Sequence, residues 1–358
     1  MTTSSTTLTN RRAKRVRRGA NEYPADSLRF DLIVALLSSI FIAGLFLDGW
    51  AHNNILDLIE TFFTPYHALF YGGFLTVAGL LTFTHFRNVM NGYTWLRALP
   101  KEYMLAMLGV VMFTVGGFAD FVWHETFGFE DGVEALLSPT HLLLGAGIFL
   151  IVSAPLRVAW NRSDITPESG WGSLFPAIIS ITLLLSLLTF FTQYSHYADP
   201  TPLIIPFRDG GWQNLAGIQK MLMPSALIMG TILLLMRRWR LPFGSLTFLI
   251  GINYTLMFLM GQNYTFQAPF TLPAALIASV MADLLYHRLQ PSTKQVRAVR
   301  WFAFLVPFIM IGLHMMVLLL TKNVWWEIHM WAGIPFLSGV VGLLLSFLAY
   351  PMAMPEKV

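Results

Sequence analysis

Long apolar runs alternate with short polar segments along almost the whole chain. A run of about 20 apolar residues crosses the ~30 Å hydrocarbon core of a bilayer as one helix. The pattern predicts ten such helices, over roughly 29–50, 65–86, 103–123, 139–160, 173–195, 215–236, 241–261, 267–287, 301–321 and 327–350. The seventh and eighth are the least sharply marked, because polar residues and two prolines interrupt Gly261 to Pro273. The fold class expected is all-α, a polytopic integral membrane helix bundle.

Composition agrees with that pattern. The 358 residues are 55% hydrophobic, and mean hydropathy is +0.60. Cysteine is absent, which excludes disulfides, thiolate metal sites and cysteine nucleophiles. No nucleotide-binding loop is visible, and nothing points to nucleic acid. The partner expected from composition is the lipid bilayer. Further membrane subunits or a homo-oligomer stay open.

The charge distribution orients the bundle. With ten helices and the N-terminus inside, 20 of the 23 Lys and Arg fall on the inner side, and only Arg208, Lys220 and Lys322 fall outside. Cytoplasmic loops carry such an excess. The chain therefore reads as multi-pass in the plasma membrane, with both termini cytoplasmic. Residues 1–28 read as a basic cytoplasmic tail, with Arg11, Arg12, Lys14, Arg15, Arg17 and Arg18 near anionic headgroups or a partner. Residues 29–160 hold two similar hairpins, 29–86 and 103–160, and 161–358 hold six further helices.

The chemistry concentrates on the outer side. Asp48, His52, Asp57, Glu60, Thr64, Pro65 and His67 are repeated in type and order by Asp120, His124, Asp131, Glu134, Ser138, Pro139 and His141. Four residues separate His52 from Asp57, and six separate His124 from Asp131. The stretch reads as a tandem, parallel duplication of a two-helix hairpin. The offset of 72 residues from His52 to His124 recurs from His124 to His196, so the fifth and sixth helices read as a decayed third copy. His314 and His329 are spaced like His52 and His67, which suggests a fourth relative.

Spacing gives the motif a physical meaning. Asp and His four apart share one face of a helix. Ser/Thr-Pro is a helix start, hydroxyl cap then proline, which puts His67 and His141 in the first turn of the next helix. Each copy thus gathers one carboxylate and two imidazoles around a loop. Metals use that ligand set with positions left open for chemistry. The candidate ligands are Asp48, His52 and His67, then Asp120, His124 and His141, either as two centres or as one shared site. His196, His314 and His329 are candidates to complete the shell. Glu60 and Glu134 are candidate acid/base groups, or partners orienting the imidazoles. Copper is favoured, with zinc and iron also suited to these donors. The bland alternatives are that Asp57 and Asp131 lie in an amphipathic loop, that Thr64 and Ser138 only cap, and that Trp50, Trp123, Trp212, Trp325 and Trp326 form the outer aromatic belt.

Asp-x-x-x-His followed by a further His resembles the copper-site motif in the C subunit of particulate methane and ammonia monooxygenases. The residues that carry it are Asp48, His52 and His67, and Asp120, His124 and His141, with 14 and 16 residues between the histidines. What the resemblance implies is copper and oxygen chemistry, hence a metal-dependent membrane oxidoreductase. Two alternatives use the same residues: a proton- or cation-coupled transporter, with Lys220 and Asp283 on its path, and a zinc-dependent membrane hydrolase.

Overall fold

The computed structural model describes residues 22–55, 63–128, 132–206, 210–261, 268–322 and 324–351. The basic segment up to residue 21, and Asp57, Glu60 and Asp131, lie outside the described residues. The principal elements are ten helices: α1 (Leu28–Asn54), α2 (Pro65–Met90), α3 (Lys101–Phe127), α4 (Pro139–Asn161), α5 (Trp171–Phe191), α6 (Gly210–Arg238), α7 (Ser245–Met260), α8 (Thr271–Leu289), α9 (Val296–Thr321) and α10 (Ile328–Ala349). Among the described residues there is no β-strand. Nine of these helices are long and apolar enough to cross a membrane, so the chain is a polytopic helical membrane bundle.

The exception is α7, with 16 residues. At 1.5 Å per residue it spans about 24 Å, short of a ~30 Å core. The sequence pattern starts this helix at 241, but Pro242 to Gly244 form a turn instead. The Pro242 carbonyl accepts from the Ser245 amide at 3.1 Å and from its hydroxyl at 2.6 Å, with Gly244 at φ +92. The helix then starts under a side-chain cap. Buried Asp283 of α8 accepts from the amides of Leu246 (3.3 Å) and Thr247 (2.7 Å) and from the Thr247 hydroxyl (2.5 Å). Asp283, a candidate for a transport path, is engaged there as a helix cap.

The chain divides into two compact units. The first comprises the described parts of 1–48, 57–163 and 175–180; the second comprises 49–56, 164–174 and 181–358. In the first, α1 crosses α2 and α3 crosses α4 at glycines. A Cβ at Gly44 would meet the Phe70 Cα at 2.8 Å, and one at Gly73 the Phe41 Cα at 2.8 Å. A Cβ at Gly109 would meet the Gly147 carbonyl at 2.7 Å. Small residues let membrane helices approach backbone to backbone where lipid supplies no hydrophobic drive between them. At the far end of this unit Asp31 accepts from Tyr103 (2.7 Å) and pairs with Arg162 (3.1 Å).

A break in α4 at Ser153, just before Pro155, is repaired by side chains. Ser180 donates to the Val152 carbonyl at 2.6 Å and accepts from the Leu156 amide at 3.3 Å. Arg157 bonds the Ser153 hydroxyl and the carbonyls of Leu150 and Glu102, the last two at 3.0 Å. Irregular backbone at membrane depth requires such replacement partners.

In the second unit, Trp326 departs from the aromatic-belt expectation. It is buried, its ring so close to Gly217 that a Cβ there would come within 2.4 Å. Trp212, by contrast, is exposed.

Candidate metal centre

The two Asp/His stretches are built alike. Asp48 and His52 lie one turn apart near the end of α1, and Asp120 and His124 near the end of α3. The next helices start at Pro65 and Pro139, each behind a hydroxyl cap. Thr64 accepts from the His67 amide at 3.0 Å, and Ser138 accepts from the His141 amide at 3.3 Å. The hydroxyl satisfies a free helix-end amide and proline fixes the entry, which sets the histidine in the first turn.

Each stretch brings its three side chains together. One ligand atom each from Asp48, His52 and His67 lie within 4.8 Å of one another, and so do those of Asp120, His124 and His141. Asp48, His67, Asp120 and His124 are buried, His141 is half-buried and His52 is exposed. His52 follows Asp48 by one turn of the same helix. Side-chain bonds hold the residues that come after it. Asn53 donates to the Gln193 side chain (3.2 Å) and the Met260 carbonyl (3.1 Å), and Asn54 to the Gly261 carbonyl (3.2 Å).

The second triad shows its protonation most clearly. Nδ1 of His141 faces the Ala135 carbonyl and, at 2.9 Å, the Ser138 hydroxyl. Nδ1 of His124 faces the Gly128 carbonyl at 3.3 Å. A carbonyl only accepts, so each ring proton belongs on Nδ1. Each Nε2 then faces Asp120: His124 Nε2 is 3.5 Å from Oδ2, and His141 Nε2 is 3.3 Å from Oδ1. An Nε2 lone pair facing a carboxylate calls for a cation between them, a second ring proton or a bound metal ion. A charge-assisted hydrogen bond would be about 2.7–2.9 Å. Ligands on ~2.0–2.1 Å bonds around a tetrahedral ion stand about 3.3–3.4 Å apart. Asp48 Oδ2 and His67 Nε2 repeat the separation at 3.5 Å. Each triad is thus a donor set that could hold a metal ion, with His141 and His124 oriented by backbone carbonyls as metal-binding histidines commonly are.

Thr140 was not among the residues the sequence singled out. Its hydroxyl donates to Asp120 Oδ1 at 2.7 Å. The equivalent residue in the first stretch is Tyr66, so the repeated pattern carried no signal for it. The orienting carbonyls of Ala135 and Gly128 belong to the backbone and leave no trace in residue type.

The remaining candidates lie elsewhere. Glu134 is exposed on the one-turn helix Val133–Leu137. His329 is exposed, with Nδ1 3.5 Å from the equally exposed Glu327. His196 and His314 are buried in the second unit, gathered on Tyr197: ring centroids are 4.9 Å apart for His196–Tyr197 and 5.2 Å for Tyr197–His314. His196 Nδ1 accepts from the Ala198 amide at 3.1 Å, which puts its ring proton on Nε2. Burial, then the neighbouring Lys220 ammonium and His314, lower the His196 pKa to about 3. Lys220 itself pairs with Asp199 at 2.8 Å. Burial alone would raise the Asp199 carboxyl, but Lys220 and the Thr201 hydroxyl and amide hold it below the usual range. The two groups offered for a transport path, Lys220 and Asp283, are thus both engaged in local structure.

No family model matches the chain, and no curated protein or solved structure is significantly similar to it.

Proposed function

We infer that this membrane protein binds transition-metal ions at Asp48/His52/His67 and Asp120/His124/His141, and that it is a metal-dependent oxidoreductase. The observation that carries the metal reading is the pair of Nε2 atoms facing Asp120 at 3.3 and 3.5 Å with both Nδ1 atoms turned to carbonyls. Two imidazoles and one carboxylate leave coordination positions open, as catalytic sites do and closed structural sites do not. The resemblance of the motif to the copper site of particulate monooxygenases favours copper and redox chemistry. The charge asymmetry along the chain supports a reading in which the site faces the outer side of a plasma membrane. The two hairpins are read as a duplication, because glycines also recur in step along the sequence: Gly44 and Gly116 both lie four residues before the Asp, and Gly73 and Gly147 six residues after the second His.

Elemental analysis of the protein purified in mild detergent tests this, beside the His52→Ala/His124→Ala double variant. Copper or iron held by the wild type and lost in the variant is the expected result. Zinc held and lost in the same way turns the reading to a hydrolase with the same ligands. No metal in either, after reconstitution with each ion, overturns it.

A further inference from the structure

The two hairpins differ at positions that fit together. One turn after His67 stands Tyr71, and the equivalent residue after His141 is Gly145. One turn before Asp120 stands Gly117, where the first stretch has Leu45 before Asp48. Tyr71 occupies the room that Gly117 leaves. A Cβ at 117 would lie 2.9 Å from Tyr71 Cε1 and 3.1 Å from its hydroxyl oxygen. The Tyr71 ring also lies beside His67, with centroids 6.4 Å apart. A residue of the first hairpin thus stacks on the helix that carries the carboxylate of the second. Asp48, His67, Tyr71, Gly117 and Asp120 all belong to the first unit.

We propose that the triads are one coupled two-ion site, bridged by Tyr71, whose ring lies beside His67 and against the helix that carries Asp120, in which filling one triad with a divalent cation weakens binding at the other. This rests on the metal reading above. Each divalent ion brings two positive charges to one carboxylate and two neutral imidazoles, so a filled triad is a net cation. In a largely buried setting its field reaches the neighbouring carboxylate with little screening. The triads are also unequal, because only Asp120 receives the Thr140 hydroxyl. Binding in two separated steps follows. Tyr71 brings a polar phenol into the contact between the two hairpins, so its loss leaves the two charges less shielded from each other and widens the separation.

The experiment is a Co²⁺ titration of the full chain in detergent, read by visible absorption and calorimetry. It uses the wild type, Asp48→Asn, Asp120→Asn and Tyr71→Phe. The expected wild-type result is two ions per chain, the second bound at least ~5-fold more weakly than the ion held by either single-triad variant, which is the lower end of ordinary site-to-site coupling. Tyr71→Phe keeps the ring against Gly117 and the stoichiometry of two, and increases the ratio of the two constants. Two ions with constants equal to those of the single-triad variants would overturn the coupling and leave the metal reading intact. A ratio unchanged in Tyr71→Phe removes Tyr71 from the proposal. One ion per wild-type chain overturns the two-ion site alone, and no Co²⁺ uptake overturns the metal reading itself.

Discussion

Thr140 donates its hydroxyl proton to Asp120 Oδ1 at 2.7 Å, so one oxygen of the second triad's carboxylate is fixed by a neighbour that the first triad replaces with Tyr66. A hydrogen bond of this kind holds a ligand in place and is worth about 10–100-fold in metal affinity. Thr140→Val keeps the shape and removes the donor. It is expected to weaken ion binding at the second triad by that ~10–100-fold factor while the first triad's constant stays as in the wild type. Thr140→Ser restores the donor and most of the affinity. Competitive titration with a chelator of known strength measures both constants, and equal weakening at both triads would count against the assignment.

His196 makes acid stability a local property of the second unit. Its ring is buried against Tyr197 and near Tyr254, beside Lys220, His314 and Asp199, and its pKa is lowered to about 3. The sign follows from proton binding. Between the ordinary value near 6.5 and about 3, the unfolded chain takes up a proton that the folded chain refuses. Stability is therefore full above the ordinary value and falls with acid, by up to about 1.4 kcal/mol per pH unit from this one group. Asp199 adds a loss at lower pH, as its carboxyl is protonated below the usual carboxylate range. His196→Gln removes the titration. Thermal melts in detergent from pH 7 to pH 4 are expected to fall less steeply in this variant, and parallel curves would refute the assignment.

The sequence announced the bundle and the two triads for a simple reason. Membrane crossing needs long apolar runs, and costly polar groups within them stand out. The Asp-x-x-x-His spacing and the Ser/Thr-Pro cap are local geometry, so they put Asp120, His124 and His141 in one place without knowledge of the packing. What stayed hidden depends on packing or on backbone. The orienting carbonyls of Ala135 and Gly128 have no residue signature. Tyr71 acquires its place only when α2 lies against α3 at Gly117. Trp326 reads as a belt residue by composition, and only the fold puts its indole over Gly217. The start of α7 was misplaced because Asp283, which caps it, comes from the following helix.

Asp283 is the residue on which that short helix depends. It takes two amide bonds and one hydroxyl bond at a fully buried position. Asp283→Ala leaves the donors without an acceptor and is expected to destabilise the protein by about 2 kcal/mol or more, the cap loss plus the desolvation of buried amides. Asp283→Asn retains one acceptor oxygen and loses less. Neither change alters ion content at the triads. Melting temperature and elemental analysis of the two variants together check this, and a loss of metal with unchanged melting would return Asp283 to a functional path.

Gly147 tests whether the crossing of α3 and α4 holds the second triad in register. A Cβ at this position would lie 2.9 Å from both the Gly109 carbonyl oxygen and the Phe113 amide nitrogen, backbone atoms that cannot rotate away. Gly79 on α2 has nothing within 4 Å of the same position and serves as the control. Gly79→Ala gains helix propensity, worth up to about 1 kcal/mol. Gly147→Ala gains as much intrinsically but must push two helices apart, which costs about 1–3 kcal/mol in a packed interior. The expected outcome is a lowered melting temperature for Gly147→Ala only, together with weaker ion binding at Asp120, His124 and His141, since His141 begins the helix that is displaced. A melting temperature at or above that of the wild type would show that α3 and α4 separate without cost, and that the triad does not depend on their contact.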